Sequence, residues 1–551
     1  MERADLLFKN ANVLTLDNQD TRAGSVAVAD GKIIGVWREP EPPEDAVEIT
    51  DETNVLDLNG DTLIPGFIDT HNHILMYALM KDMVDCSTPP NKKIDDILKA
   101  VEEKLLDTPA GEWIVGFGYD DTLLEEKRHP TKEDLDKVAP DHPVMISHIS
   151  GHLAVVNSYA LKLARLDRDT EDPQGGHYGR DEDGELNGVL YESEAMAPVH
   201  ELIPQKTKEE KIKALEETSR EYLAEGITTN SDAGVFDLDS LEVHLEAAKE
   251  RINPMRTQLM LLHFLMREGA PFGDYTHEEL DKEIRERTNG LVKLDSAKMF
   301  QDGSIQGLTG ALREPYYKNP DTYGDLIHKQ EDFQEEVLNL QKRGFRVTTH
   351  GNGDRAIGSI LDAYEYAFGK DPGEDRRHRI EHVQAATAED IVKMSELDVA
   401  GSFFINHVYY WGDRHEQIFL GPERGRRISP VREAVEHDLL FTLHSDCPIT
   451  PISPLFSIWA AVNRVTREGK VLGPEQRIDV VTALKSMTIY GAELIFREDE
   501  LGSIEVGKMA DFAVLEKDPT AVDVMEIKDI GVKGTFIGGE SVYEQGELVK
   551  N

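Results

Sequence analysis

Phe67-Ile68-Asp69-Thr70-His71-Asn72-His73 decides the reading of this chain. An apolar run leaves a Pro65-Gly66 break as a strand and ends in two histidines two residues apart. Side chains at i and i+2 of a strand share a face, so both imidazoles project from one side at the strand's end. Neutral imidazole is a good ligand for a divalent metal such as zinc. A His-x-His alone also describes two polar residues leaving a strand. The positions of the other histidines decide between the two.

Working outward, β-type apolar runs near 226–232, 255–262, 292–300, 345–350, 378–383, 399–405 and 439–445 alternate with helical patterns at 208–225, 330–343, 355–368, 387–396 and 430–437. With 67–73 these make eight strands, most followed by a helix, the count of an α/β (β/α)8 TIM barrel. The connection after strand 1 is too long for a loop. Residues from about 75 to 205 hold strands of their own, at Trp113-Ile114-Val115-Gly116 and Val144-Met145-Ile146, and a Gly-rich stretch at 173–188, which reads as an inserted α+β subdomain. Both chain ends are β-rich, with a hairpin signal at Asp30-Gly31. They read as one small β-sandwich assembled from residues 1–64 and 499–551 around a barrel at 65–498.

Strand 5 ends at His350, strand 6 at His382, and strand 8 runs out through His444-Ser445-Asp446. The C-terminal ends of barrel strands converge on one face, where such folds keep their chemistry. His71, His73, His350, His382 and Asp446 therefore meet as candidate metal ligands. Strand 4 adds Lys298, and an ammonium is costly to bury in an apolar strand. Carbamylation by CO2 would turn it into an anionic ligand able to bridge two metals, whereas an unmodified amine would pair with Asp302 or Asp69. Spacing leaves both open.

At this point the pattern resembles the amidohydrolase superfamily, in the branch of N-substituted formamide deformylase-like metal-dependent hydrolases (amidohydrolase family 3). The residues that carry the likeness are Pro65 to His73, Gly151-His152 with Asn157-Ser158, Lys298 with Asp302-Gly303-Ser304, and His350-Gly351-Asn352-Gly353-Asp354. It continues through Arg379-Ile380-Glu381-His382, Ser445-Asp446-Cys447-Pro448 and the stretch from Gly502 to Phe512. The resemblance implies that His71 and His73 hold a more buried metal and His350 and His382 a more exposed one. It implies two zinc ions or one, with N6-carboxylated Lys298 as the bridge. Asp446 would ligate metal and shuttle the proton. His152, Glu192 and Asp302 are carried as substrate-binding candidates, although His152 also reads as a structural histidine of the insert and Glu192 as a solvated carboxylate. Gln301 before Asp302 and Cys447 after Asp446 are mild departures from the pattern.

The expected reaction is hydrolysis of a non-peptide carbon–nitrogen bond, in an amide or an N-acyl or N-formyl compound. Alternatives on the same scaffold are a deaminase of an amino-heterocycle, a phosphotriester- or lactone-cleaving hydrolase, and a non-catalytic metal-binding regulator. The substrate is expected to be a small molecule. A formal charge of −45, from 105 acidic against 60 basic residues, argues against nucleic acid or an anionic membrane as partner. Acid spread along the whole chain fits a halophilic cytoplasm, where salt screens self-repulsion, as well as an ordinary acidic protein. Cys86 and Cys447 are the only cysteines, no signal-peptide pattern opens the chain, and no apolar run reaches the roughly 20 residues of a membrane span. A cytoplasmic protein is expected, and a homodimer is compatible with the sequence. Cys447 has no assigned base, so cysteine catalysis is not expected. Tyr409-Tyr410-Trp411 reads equally as pocket lining or as an aromatic cluster.

Overall fold

Gly66 lies so close to Thr228 that a Cβ would meet its methyl at 2.2 Å, which is why the chain enters the first barrel strand through a glycine. In this computed structural model all residues are described except 1, 89, 122, 150, 152, 174, 175, 374 and 546–551. The barrel strands are β1 (Phe67–Asn72), β2 (Ile227–Val235), β3 (Arg256–Leu262), β4 (Val292–Phe300), β5 (Val347–Gly351), β6 (Arg379–His382), β7 (Ala400–Phe403) and β8 (Phe441–Leu443). They form one eight-stranded sheet in sequence order with parallel ladders between neighbours. These strands are buried on both faces even where they are polar, as at Thr228 to Asp232 of β2. Across the seam, Thr70 of β1 hydrogen-bonds Thr442 of β8 at 2.7 Å and Ser402 of β7 at 3.3 Å. Helices come after the strands with side-chain caps where the sequence supplies them, as at Asp237, Thr276 and Thr387.

The chain ends form two packed sheets. One joins Lys32–Trp37, Ser25–Ala29, Leu6–Lys9 and Asn54–Asp57. The other joins Glu540–Glu544, Val532–Ile537, Phe512–Leu515, Thr62–Pro65, Asn12–Leu14 and Arg22–Ala23. Phe8 of the first meets Phe512 and Phe536 of the second edge-on, at 5.4 and 5.1 Å between ring centroids. Asp30 and Gly31 turn the expected hairpin with φ of 47° and 74°. Buried Arg256, opening β3, grips Asp511 through two hydrogen bonds of 2.6 and 3.0 Å and ties the second sheet to the barrel.

Met76–Lys211 forms a compact unit of its own. Its six-stranded sheet has three parallel strands, Val84–Asp85, Ile114–Tyr119 and Val144–His148, and then in space antiparallel Leu153–Val156, Leu186–Tyr191 and His177–Arg180. Ile146 and Val155 pack with Ile97 and Val101 in one apolar core, while Met145, Ala154 and Val156 join Ala160 and Leu161 in another. Period-two alternation thus covers both faces of the sheet. Among the described residues no helix is long and apolar enough to cross a membrane.

Beyond β3, the turn His263–Met266 is fastened to the helix Gln330–Lys342 by Glu336. Burial alone would raise this carboxyl, but His263 and a fork from Arg267 at 2.9 and 2.8 Å outweigh it and bring it from 4.5 down to about 2. A folded-state pKa below the unfolded one gives stability that is complete above about pH 4.5 and is lost as pH falls through about 2. Urea melts of wild type and Glu336→Gln are expected to differ at neutral pH and converge at the acid end of that window.

Candidate active site

β1 delivers its histidines into a clamp. Asp69 accepts the His71 amide at 3.1 Å and the Ser445 hydroxyl at 3.2 Å, and the His73 amide donates to the Cys447 carbonyl at 2.8 Å. The strand end is thereby fastened to the loop that carries Asp446. Burial raises the Asp69 carboxyl to about 7, against the hydrogen bonds that lower it. His71 Nδ1 pairs with Glu381 of β6, and Arg379 Nε stands 2.5 Å from the other Glu381 oxygen. Burial opposes the Glu381 charge, but Arg379 and His71 overcome it and hold the carboxyl well below its ordinary value. With Nδ1 committed to Glu381, His71 turns Nε2 toward the barrel mouth, the arrangement that orients an imidazole as a metal ligand.

There His71 Nε2 and His73 Nε2 lie 3.3 and 3.2 Å from the same oxygen, Asp446 Oδ1. That oxygen makes no properly oriented hydrogen bond. Burial disfavours an ionised Asp446, yet the His71 and His73 imidazoles and His382 keep it well below the carboxylate norm. A second group joins His71, His382 and His444, whose donor atoms lie within 4.8 Å of one another, as do those of the first. His382 Nδ1 is 3.2 Å from His444 Nε2, and His444 Nδ1 is 2.8 Å from the Ser402 hydroxyl. Burial pushes both rings well below the usual imidazole value, so they are held neutral and able to ligate. His382 and Asp446 take left-handed backbone, with φ of 72° and 55°. Such conformations cost of order 1–3 kcal/mol each in a non-glycine residue and concentrate at functional sites.

His350, ending β5, brings its ring within 4.5 Å of His382. Its Nδ1 is 3.3 Å from Asp302 Oδ1 and its Nε2 3.2 Å from the Asn352 amide. Asp302 is buried and accepts the amides of Ala311, Asn352 and Gly353 at 2.9, 3.0 and 2.8 Å. Both of its oxygens are therefore engaged in building the His350 turn. Lys298 of β4 is 1% exposed, and its Nζ makes no hydrogen bond to Asp69, Asp302 or any other described group. Burial pulls its pKa from 10.5 to about 8, opposed by the nearby charges of Glu381 and Asp446.

Two of the sequence candidates lie in the inserted unit. His152 is outside the described residues. Glu192 is exposed at the start of the helix Glu192–His200, with φ of 68°. Cys447 is buried and its thiol is pushed up to about 12, mainly by burial, which suppresses the nucleophilic thiolate. Tyr409 of the helix His407–Arg414 packs edge-on against Phe456 and Trp459 of the helix Pro454–Asn463 at 5.2 and 5.8 Å, an aromatic cluster between the two. Glu381 and His444 are the site residues to which the sequence alone assigns no role. Their only sequence signal is position, one residue before His382 and two before Asp446.

The Arg379–Glu381 pair makes a direct stability prediction. Both side chains are fully buried. Among the described residues, Glu381→Gln leaves the guanidinium with only Asp295, 3.8 Å away, as a buried counter-charge and is expected to cost about 3–5 kcal/mol. A lower urea midpoint at unchanged slope measures it.

The donor set, a cluster of strand-end imidazoles among which His382 and His444 are held neutral, a carboxylate oxygen left unsatisfied and an orphaned buried amine, fits a divalent metal better than a packed protein interior. Comparison with known proteins agrees. Residues 54–543 match the model of an amidohydrolase family. The chain is 29% identical over 547 residues to the N-substituted formamide deformylase of Arthrobacter pascens, covering 98% of each. It is 28% identical over 562 residues to the protein LONG AFTER FAR-RED 3 of Arabidopsis thaliana, covering 98% of this chain and 92% of that one. An uncharacterized metal-dependent hydrolase from Pyrococcus furiosus superposes with a TM-score of 0.73 at 25% identity, over 94% of this chain and 99% of its own. With its barrel, its strand-end histidines and a match along most of its length, this chain belongs to the amidohydrolase family.

Proposed function

We propose that this protein is a metal-dependent hydrolase of a carbon–nitrogen bond outside peptides, in an amide or an N-acyl or N-formyl compound. The observation that carries the reading is the convergence of His71 Nε2, His73 Nε2 and Asp446 Oδ1 on one buried point. Likeness to a formamide deformylase along the whole chain supports the bond class.

In this reading His71, His73 and Asp446 would hold one zinc ion and His350 and His382 a second, with Lys298, carboxylated on Nζ, as a further oxygen ligand. When bound, the metal would supply Lewis-acid chemistry, acidifying water and polarising a carbonyl. The protein does the rest. Asp446 accepts the proton of the attacking water and returns it to the departing nitrogen, one carboxylate acting first as base and then as acid. Glu381 fixes the His71 tautomer, Asp302 sets the His350 turn, and His444 orients His382 through its own bond to Ser402.

The test is a panel of N-formyl and N-acyl amines offered to zinc-reconstituted full-length protein, with release of amine and carboxylate monitored. Turnover that stops on chelation supports the reading. Ammonia release from amino-heterocycles with the panel untouched would replace it with a deaminase.

A further inference from the structure

A second convergence of metal-binding side chains lies within the inserted unit and shares no residue with the barrel site. Ile114–Tyr119 and Val144–His148 are parallel neighbours whose final residues, Tyr119 and His148, are register partners. Their C-terminal ends form one edge of the sheet, the position at which open parallel sheets bind ligands. The ladder slips between Phe117 and Tyr119, at Gly118, whose φ is 103°. A bulge bends a strand and re-aims the residues beyond it. Asp120 and Asp121 are the residues so re-aimed, and they reach the end of the neighbouring strand where His148 stands.

Asp121 Oδ1 is 3.2 Å from His148 Nε2 and 3.8 Å from His129 Nδ1. One ligand atom each from Asp120, Asp121 and His148 falls within 4.8 Å of the others. His129 also bonds the buried Tyr119 hydroxyl at 3.1 Å. The side chains are sheltered without being sealed, at 13% exposure for His148 and 25% for Asp121. The ion pairs that Asp121 makes here are with histidines, of which a bound cation would turn His148 from proton carrier into ligand.

We propose that Asp120, Asp121 and His148 form a second divalent transition-metal site, built by the inserted unit. Two carboxylates and an imidazole without a thiolate suit zinc or cobalt better than the all-oxygen shells of calcium or magnesium. His129, whose Nδ1 is bonded to Tyr119, stands beside Asp121 outside the ligand set.

Full-length protein stripped with chelator and reloaded with Co(II) tests this by stoichiometry and visible absorption. Asp121→Asn/His148→Gln is expected to bind one equivalent per chain fewer than wild type, whatever the barrel binds. Asp121→Asn alone serves if the double variant does not fold, and is expected to weaken the same equivalent. Unchanged stoichiometry in the folded double variant, or unchanged affinity in Asp121→Asn, overturns the proposal. Neither result depends on the barrel histidines, so the two readings fail separately.

Discussion

Asp446→Asn is expected to lower kcat by roughly 10²–10⁴-fold, the range general acid–base catalysis supplies, while the protein keeps its fold. The side chain is buried against His71 and His73 in a left-handed turn, and those contacts are to an oxygen that asparagine retains. Asparagine lacks the capacity to take a proton and give it back. The kinetic signature is a fall in kcat and kcat/KM together, as for an interaction made only in the transition state. A variant that holds metal as wild type does yet turns over at the wild-type rate would remove Asp446 from the proton path.

Lys298→Ala is expected to strip metal from the barrel and to cost more activity than the roughly 10–100-fold typical of losing an outer partner of a ligand. Short-chain carboxylic acids, standing in for the missing carbamate in the space the side chain leaves, are expected to restore part of it. The reason is the amine's situation. It is fully buried, unbonded and brought from 10.5 to about 8, so about a tenth is neutral at pH 7, the form that adds CO2 and far more than an ordinary lysine offers. Lys298→Met separates structure from function. Replacing an orphaned buried polar group by an apolar one of similar shape is expected to leave the metal-free protein as stable as wild type or more so, even as metal is lost. Full metal content and rate in Lys298→Ala would end the bridging role.

The barrel is legible in the sequence because its strands are buried on both faces, so that the apolar run 259–262 and the alternation of Val292–Phe300 stand out between amphipathic helices. The same logic places His71, His73, His350, His382 and Asp446 at strand ends. It gives no angle of approach. Glu381 reaches His71 across 310 residues of sequence, a contact that needs the closed sheet before it exists. The left-handed turns at His382 and Asp446 re-aim their side chains after the strand pattern has stopped, so His444 joins the cluster unannounced. In the inserted unit, Leu186–Tyr191 is hidden within a Gly-rich stretch. Gly188 sits there at φ 93°, where a Cβ would meet the Val156 carbonyl at 2.4 Å, so a residue the packing demands also erases the alternation that marks a strand.

The central claim, a metal held by strand-end histidines, is tested most directly by metal content. Elemental analysis after reconstitution with zinc and bicarbonate would set full-length wild type beside folded His71→Asn/His73→Asn protein. The account predicts that wild type retains zinc that the double variant lacks. Equal zinc in the two proteins would contradict it.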